Sequence, residues 1–456
     1  MNLKGKNVLV VGLGKTGEAL CRFLLQKGAH VKVSEQKNKD QLSSKIKEWT
    51  SQTLEVETGG HEPKSFLEAD LILPSPGVPF IPVLREAQEK GIPVLSEVEL
   101  AYRFLKGRMV GITGSNGKST TATLIHNIFT NAGLPSILAG NIGTPLIDMV
   151  EKSRDNYIYV TELSSFQLHF TQQLRAFISV FLNVSADHLD WHLDFTHYVE
   201  AKKKLFYHLK ENDAAVLNMD DPLVGSLRNQ IKSSVWGFSR TGRTNPGSYL
   251  SNSWILFSQD DEEKKVMKSS EIPLPGPHNQ ENILAAVGVS CVLGIPISII
   301  RNSVKNFKGL KHRLEKVAAI GGVKFYNDSK ATNIQATLQS LHSFDNDIIL
   351  ILGGRDKGGD FKRLKKPIQE KVRKIVLIGE AQNKIEQALK GAAPLIKVSS
   401  LYEAVRQGYK SAKPGNVVLL APACTSFDMF QNFEHRGEIF EKEVKSMAQK
   451  FSHKER

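Results

Sequence analysis

Cysteine is scarce in this chain: three in 456 residues, at positions 21, 291 and 424. They are far apart and odd in number, which excludes a disulfide framework and any clustered thiolate metal motif, and fits a reducing compartment. Long hydrophobic runs are missing too. Nothing approaches the ~18–20 apolar residues of a membrane span, so no membrane association is expected. The apolar run after Met1 is too short, and the glycines that follow it are wrong, for a secretory leader; a cytoplasmic location is expected. There is no low-complexity tract and no internal repeat. Aromatic residues make up 8% of the chain and do not interleave with basic clusters, which argues against a nucleic-acid surface.

What is present is an ordinary globular composition, 41% hydrophobic and 23% charged, with 60 Lys and Arg against 47 Asp and Glu. The excess of 13 positive charges suits anionic partners, and their scatter favours small phosphorylated molecules. Clusters such as Lys202-Lys203-Lys204 read as solvated faces on charge grounds. The length allows roughly three domains at about 150 residues each.

Three stretches alternate strand-like and helix-like patterns, which predicts an α/β protein with parallel sheets. In the first, Val8–Val11 leads into Gly12-Leu13-Gly14-Lys15-Thr16-Gly17, then a helix stopped at Gly28, then a strand ending at Glu35. In the second, strands at Tyr157–Val160, Phe177–Leu182 and Ala214–Leu217 each run into polar residues. The stretch from about Gly237 to Pro275 is less regular and reads as edge strands or loops. In the third, strands at Val323–Tyr326, Asp347–Leu352, Lys374–Ile378 and Val417–Leu420 do the same. Polar groups beyond strand carboxyl ends are where open α/β sheets place their sites.

The densest signal is Gly114-Ser115-Asn116-Gly117-Lys118-Ser119-Thr120, between the strand-like Met109–Thr113 and a helix-like run from Thr121 to Asn131. Glycines let backbone N–H groups close on phosphates, the lysine adds charge, and the serine hydroxyl can ligate Mg²⁺. The spacing departs from the strict phosphate-loop pattern, because Ile112 stands where a glycine would be required.

Other motifs allow two readings each. Gly12-x-Gly14-x-x-Gly17 with Glu35 suits a nucleotide diphosphate, or is a structural turn. Glu162 at a strand end could ligate Mg²⁺ or be structural. Asp187-His188-Leu189-Asp190-Trp191-His192 is rich in ligands, but spacing alone leaves it undecided between a metal site and a polar loop. His278-Asn279-x-x-Asn282 opens a helix, as a cap or as amides facing a purine. Asp328 and Lys330 follow a strand, as catalytic groups or as a surface turn. Gly353 to Gly359, carrying Arg355 and Lys357, is a backbone-accessible loop suited to an anion, or simply flexible.

Taken together, these blocks resemble the Mur ligases. Thr113 to Thr120 is similar to that family's ATP loop, which itself departs from the strict pattern. Gly140-Asn141-Ile142-Gly143, Glu162 to Leu168, Asn183 to His188, His278-Asn279 with Asn282, and His312-Arg313 follow in the family's order. Asn327 to Asn333 and Ala423 to Asp428 resemble its D-glutamate-adding branch. Lys311 and Ala421 depart from the family's usual proline and serine without replacing a reacting group.

The resemblance implies a Rossmann-like N-terminal domain (1–97) for a uridine nucleotide, a central phosphate-loop ATP domain (98–308) and a Rossmann-like C-terminal domain (309–456) for the amino acid. It implies ATP-dependent joining of D-glutamate to UDP-N-acetylmuramoyl-L-alanine by a monomer. ATP would be held by Gly114 to Thr120, Asn279, Asn282, Arg313, Asp328 and Lys330. Two Mg²⁺ sites would draw on Ser119, Glu162, His188 and Lys202, the last carbamylated by CO₂. Lys118, His188 and Lys202 would serve catalysis. Lys15, Thr16, Glu35, Ser75, Gly77 and Asn141 would face the sugar nucleotide, with His188 near the reacting groups. Thr332, Lys357, Ser426 and Phe433 would position D-glutamate.

Overall fold

The computed structural model describes residues 1–38, 54–79, 81–188 and 191–454. Leu189 and Asp190, inside the ligand-rich motif, lie outside the described residues.

Three sheets organise the described residues. The first has four parallel strands in the spatial order Leu54–Thr58, His30–Glu35, Asn7–Val11, Leu71–Pro74. Asn7–Val11 carries four consecutive buried apolar residues, as expected of a strand covered on both faces. The helix Lys15–Gln26 buries Leu20, Phe23 and Leu24 and ends at Lys27 before Gly28, whose φ of 73° only glycine adopts easily.

The second sheet has nine strands. Seven are parallel, and Arg108–Thr113 lies between Ile158–Glu162 and Ile178–Phe181, third from one edge. The irregular stretch extends this sheet: Gly247–Ser251, Trp254–Gln259 and Glu262–Lys268 form its antiparallel edge. The third sheet has six strands, with Val323–Asn327, Val417–Leu420, Ile348–Gly353 and Val372–Ile378 parallel side by side.

The chain forms two compact units: 1–271 with 280–305, and 272–279 with 306–456. The expected junction at 97/98 falls inside the first unit. A single apolar cluster there runs from Val8 and Val31 in the first sheet, through Val98 and Leu100, to Phe181 and Leu217 in the second. Such a continuous core fixes the two sheets against each other. Among the described residues no helix is long and apolar enough to cross a membrane.

Candidate active site

The phosphate-type loop joins Arg108–Thr113 to the helix Lys118–Asn131. That helix begins three residues before the sequence pattern predicts, because Gly117 at φ 86° is its N-cap. A β-carbon at Gly117 would stand 2.2 Å from Asn282 Oδ1, and Asn282 also accepts from Thr121 Oγ1 at 3.3 Å. Asn282 therefore buttresses the loop, so the amide beside a helix start does more than cap it.

The neighbouring strand end shapes the loop as well. Asn183 Oδ1 accepts from Asn116 N at 2.9 Å, and Asn183 Nδ2 donates to Asn116 O at 3.2 Å. Ser115 Oγ lies 2.8 Å from Tyr198 Oη. Burial, ahead of the Ser115 hydrogen bond that opposes it, pushes the Tyr198 phenol up to about 12. Asn183 and Tyr198 are structural partners that sequence reasoning missed; Asn183 had at least been visible in a strand-end block.

Lys118 Nζ donates to the carbonyls of Gly114 and Ser115 at 2.9 and 3.0 Å. Lys202, read as solvated from its charge cluster, is 1% exposed. It lies on the inner face of the helix Phe195–Lys203, and its Nζ donates to Gly114 O at 2.8 Å. Burial, then the Lys118 charge, depresses its pKa well below the usual lysine value, with Asp187 and Glu162 opposing. Lysine charge counts could not show this; helix facing decided it.

Glu162 ends the strand Ile158–Glu162 and is buried. Its Oε1 accepts from Asn141 Nδ2 at 2.7 Å, whereas Oε2 is buried with no hydrogen-bond partner among the described residues. An orphan carboxylate oxygen beside a serine-bearing loop is a donor set suited to a hard cation such as Mg²⁺. His188 adopts φ 54°, is half exposed, and packs edge-on against Phe166 with centroids 4.7 Å apart.

A cavity of about 680 Å³ lies within the first unit and is lined by Lys15, Thr16, Glu35, Ser75, Gly77 and Asn141 among others. All six residues assigned by resemblance to the sugar nucleotide thus meet in one space. Lys15 Nζ donates to Gly143 O at 2.7 Å. Both Glu35 oxygens are engaged, Oε2 by Leu13 N at 2.7 Å and Oε1 by Lys37 N at 3.0 Å, so its carboxylate braces the glycine turn. Gly17 allows that turn to close, since a β-carbon there would lie 2.1 Å from Gly12 O.

In the second unit, Asn279 Nδ2 donates to Pro275 O at 2.7 Å. Asp328 is buried, with Oδ1 accepting from Leu314 N at 3.2 Å and Oδ2 accepting from Ser340 Oγ. Burial raises its pKa, with Arg313 and Lys330 among the opposing charges. Lys330 is exposed, its Nζ 5.9 Å from the Phe433 ring centroid. Thr332 N donates to Lys330 O at 2.8 Å, Ser426 is buried, and Lys357 is exposed on its glycine loop.

Arg436, which sequence reasoning missed, is fully buried. It donates to Ser329 Oγ and O at 2.9 and 2.8 Å, and to Cys424 O and Thr425 O at 3.2 and 3.3 Å. One guanidinium thus ties the 328–332 turn to the 424–426 turn, the two segments that carry Asp328, Lys330, Thr332 and Ser426. Its only sequence signal was an arginine in the first turn of an amphipathic helix.

Comparison with known proteins matches three successive segments of the chain. Profiles described as the Mur ligase MurD-like N-terminal domain, the Mur ligase middle domain and the Mur ligase glutamate ligase domain match residues 6–96, 112–290 and 312–424. The chain belongs to the Mur ligase family. Among Mur ligases it is 45% identical to the UDP-N-acetylmuramoylalanine–D-glutamate ligase of Acidobacterium capsulatum, covering 96% of each chain. It is 44% identical to the ligase of the same name from Solibacter usitatus, over 99% of this chain and all of the relative. Two solved Mur-type structures share the fold at a TM-score of 0.59 each. One is a pseudomurein peptide ligase type C from Methanothermus fervidus, at 20% identity over 97% of this chain and 100% of that one. The other is the MurF ligase of Thermotoga maritima in complex with ADP, at 18% identity over 98% of this chain and 96% of that one.

Proposed function

We propose that this Mur ligase joins D-glutamate to UDP-N-acetylmuramoyl-L-alanine with cleavage of ATP to ADP and phosphate, a step in making peptidoglycan precursors. The observation that carries the reading is the full-length identity to D-glutamate ligases together with the 680 Å³ cavity, where the six expected sugar-nucleotide residues converge.

A carboxylate oxygen of the muramoyl-alanine substrate attacks the γ-phosphorus of ATP. The bond to ADP breaks, leaving an acyl phosphate. The neutral amine of D-glutamate then adds to the acyl carbon, and the tetrahedral intermediate expels phosphate as the amide forms. The attacking nitrogen must lose a proton to a general base as the amide forms. Lys118 offsets charge on the phosphoryl oxygens, and the loop amides of 114–120 cradle the phosphates. Ser119, Glu162, His188 and a carbamylated Lys202 would hold Mg²⁺, which supplies charge neutralisation on the phosphates when bound. Lys202 suits carbamylation because only a neutral amine adds to CO₂, and burial beside Lys118 favours that form. The resulting anion would face the Lys118 ammonium.

Asn279, Asn282, Arg313, Asp328 and Lys330 are proposed for the nucleotide, and Thr332, Lys357, Ser426 and Phe433 for D-glutamate. Domain limits at 97/98 and 308/309, a monomeric state and a cytoplasmic location belong to the same proposal. The test is phosphate release with the uridine nucleotide and D-glutamate, L-glutamate, L-alanine or a diamino acid. Release with D-glutamate alone is expected; activity only with L-glutamate and a folate overturns the reading.

A further inference from the structure

Behind the phosphate-type loop stands a group of histidines that the ligation chemistry does not use. His169 closes the short helix Ser165–His169, whose start is fixed by a capping box between Ser164 and Gln167. His192 ends the ligand-rich motif, its backbone N–H donating to His188 O at 3.0 Å. His197 sits in the first turn of the helix Phe195–Lys203, held by the Asp194 cap at 2.8 Å. One ring nitrogen from each lies within 4.8 Å of the other two. The rings face one another edge to face, with centroids 5.0 Å apart for 169 and 197 and 5.6 Å for 192 and 197.

We propose that His169, His192 and His197 bind a late first-row divalent metal ion, Zn²⁺ or its analogues Co²⁺ and Ni²⁺, at a site distinct from the phosphate-transfer centre. Imidazole nitrogens are the donors these ions favour, and three of them leave a fourth position for water. Ligand nitrogens on such an ion are about 3.3 Å apart, so the three, within 4.8 Å of one another, need close by about 1.5 Å at most to share it. Ser165 Oγ meets His192 Nε2 at 3.0 Å, which assigns Nδ1 to the metal and supplies the outer hydrogen bond that orients a ligand. His197 Nδ1 is buried without a hydrogen-bond partner among the described residues. Burial, ahead of Lys204 and the other two histidines, pushes His169 down to about 3, so its ring is neutral at pH 7. Lys204, whose Nζ donates to the His169 carbonyl, opposes the added charge and moderates affinity.

A metal here would tie the helix after Glu162 to the helix carrying Tyr198 and Lys202. The test titrates Co²⁺ and Zn²⁺ into the metal-free full chain. One equivalent of Co²⁺ with the absorption of a four-coordinate ion is expected, together with quenching of Trp191, whose ring lies 5.3 and 4.6 Å from those of His169 and His192. His169→Gln and His197→Gln, which keep polarity and similar size, should each weaken metal binding by about 100-fold while leaving ATP-dependent ligation intact; His188→Ala should still bind the ion with wild-type affinity. Wild-type affinity no tighter than that of the His169→Gln/His197→Gln double variant overturns the site, as does loss of the bound ion in His188→Ala alone.

Discussion

Lys118 and Lys202 donate to one and the same acceptor, the carbonyl oxygen of Gly114, at 2.9 and 2.8 Å. Two ammonium groups sharing one oxygen in a buried setting repel each other. The more deeply buried of the two, Lys202, is driven toward the neutral form.

That pairing separates the tasks of the two lysines. Lys118→Ala should abolish ligation and weaken ATP binding. Lys202→Met should lower kcat by roughly 10³-fold yet leave ATP binding within a few-fold. Enzyme stripped of CO₂ should lose activity and regain it with bicarbonate, whereas Lys202→Met should not respond. Nucleotide titration beside steady-state rates checks both; full activity of the stripped wild type would remove the carbamate from the mechanism.

Lys15 reaches Gly143 from the opposite wall of the cavity. The bond joins the first glycine turn to the Gly140–Gly143 turn next to Asn141. Lys15→Met should raise KM for the uridine nucleotide about 10-fold with kcat little changed, the pattern of lost uniform binding. An unchanged KM would mean that Lys15 does not meet this substrate.

Arg436→Lys keeps the charge but cannot reproduce four hydrogen bonds in a planar fork. The variant should lose about 2–4 kcal/mol of stability. KM for D-glutamate should rise more than KM for the uridine nucleotide. Denaturant melts and separate substrate titrations distinguish a local loosening of the two turns from general damage.

Glu97 is fully buried at the start of the helix Glu97–Tyr102, and its carboxyl accepts from Ile147 N at 2.6 Å. Burial raises its pKa from 4.5 to about 7. Between these values the folded state binds the extra proton, so stability falls as pH rises from about 4.5 through 7. The stabilisation lost is about 3 kcal/mol at most. Glu97→Gln keeps an acceptor for Ile147 N without the charge. Denaturation at a series of pH values should show the variant flatter over this window and more stable than wild type above pH 7; a parallel pair of curves would exclude the buried titration.

Much of the architecture was legible along the chain. Val417–Leu420 forms the strand its pattern predicts, and Gly28 ends the helix it punctuates, because apolar runs and turn residues act locally. The Gly114–Thr120 loop was legible for the same reason. Its N-cap was not, since the left-handed Gly117 lets the helix start early. The edge hairpin at Trp254–Lys268 was blurred because neither strand alternates: Trp254–Gln259 is buried over four consecutive residues, and Glu262–Lys268 opens on four exposed charged ones.

The sequence by itself determined the parallel α/β layout, the glycine turns and, through motif order, the family. These rest on neighbours in the chain and on backbone geometry that a few residue types permit. Only the tertiary structure decided that Lys202 turns inward from a run of three lysines, that Arg436 joins two turns a hundred residues apart, and that His169, His192 and His197 meet. In each case the chemistry depends on which face of a helix is covered and by what. That is a property of packing between distant segments, and it changes the desolvation and charge around a side chain without changing its name.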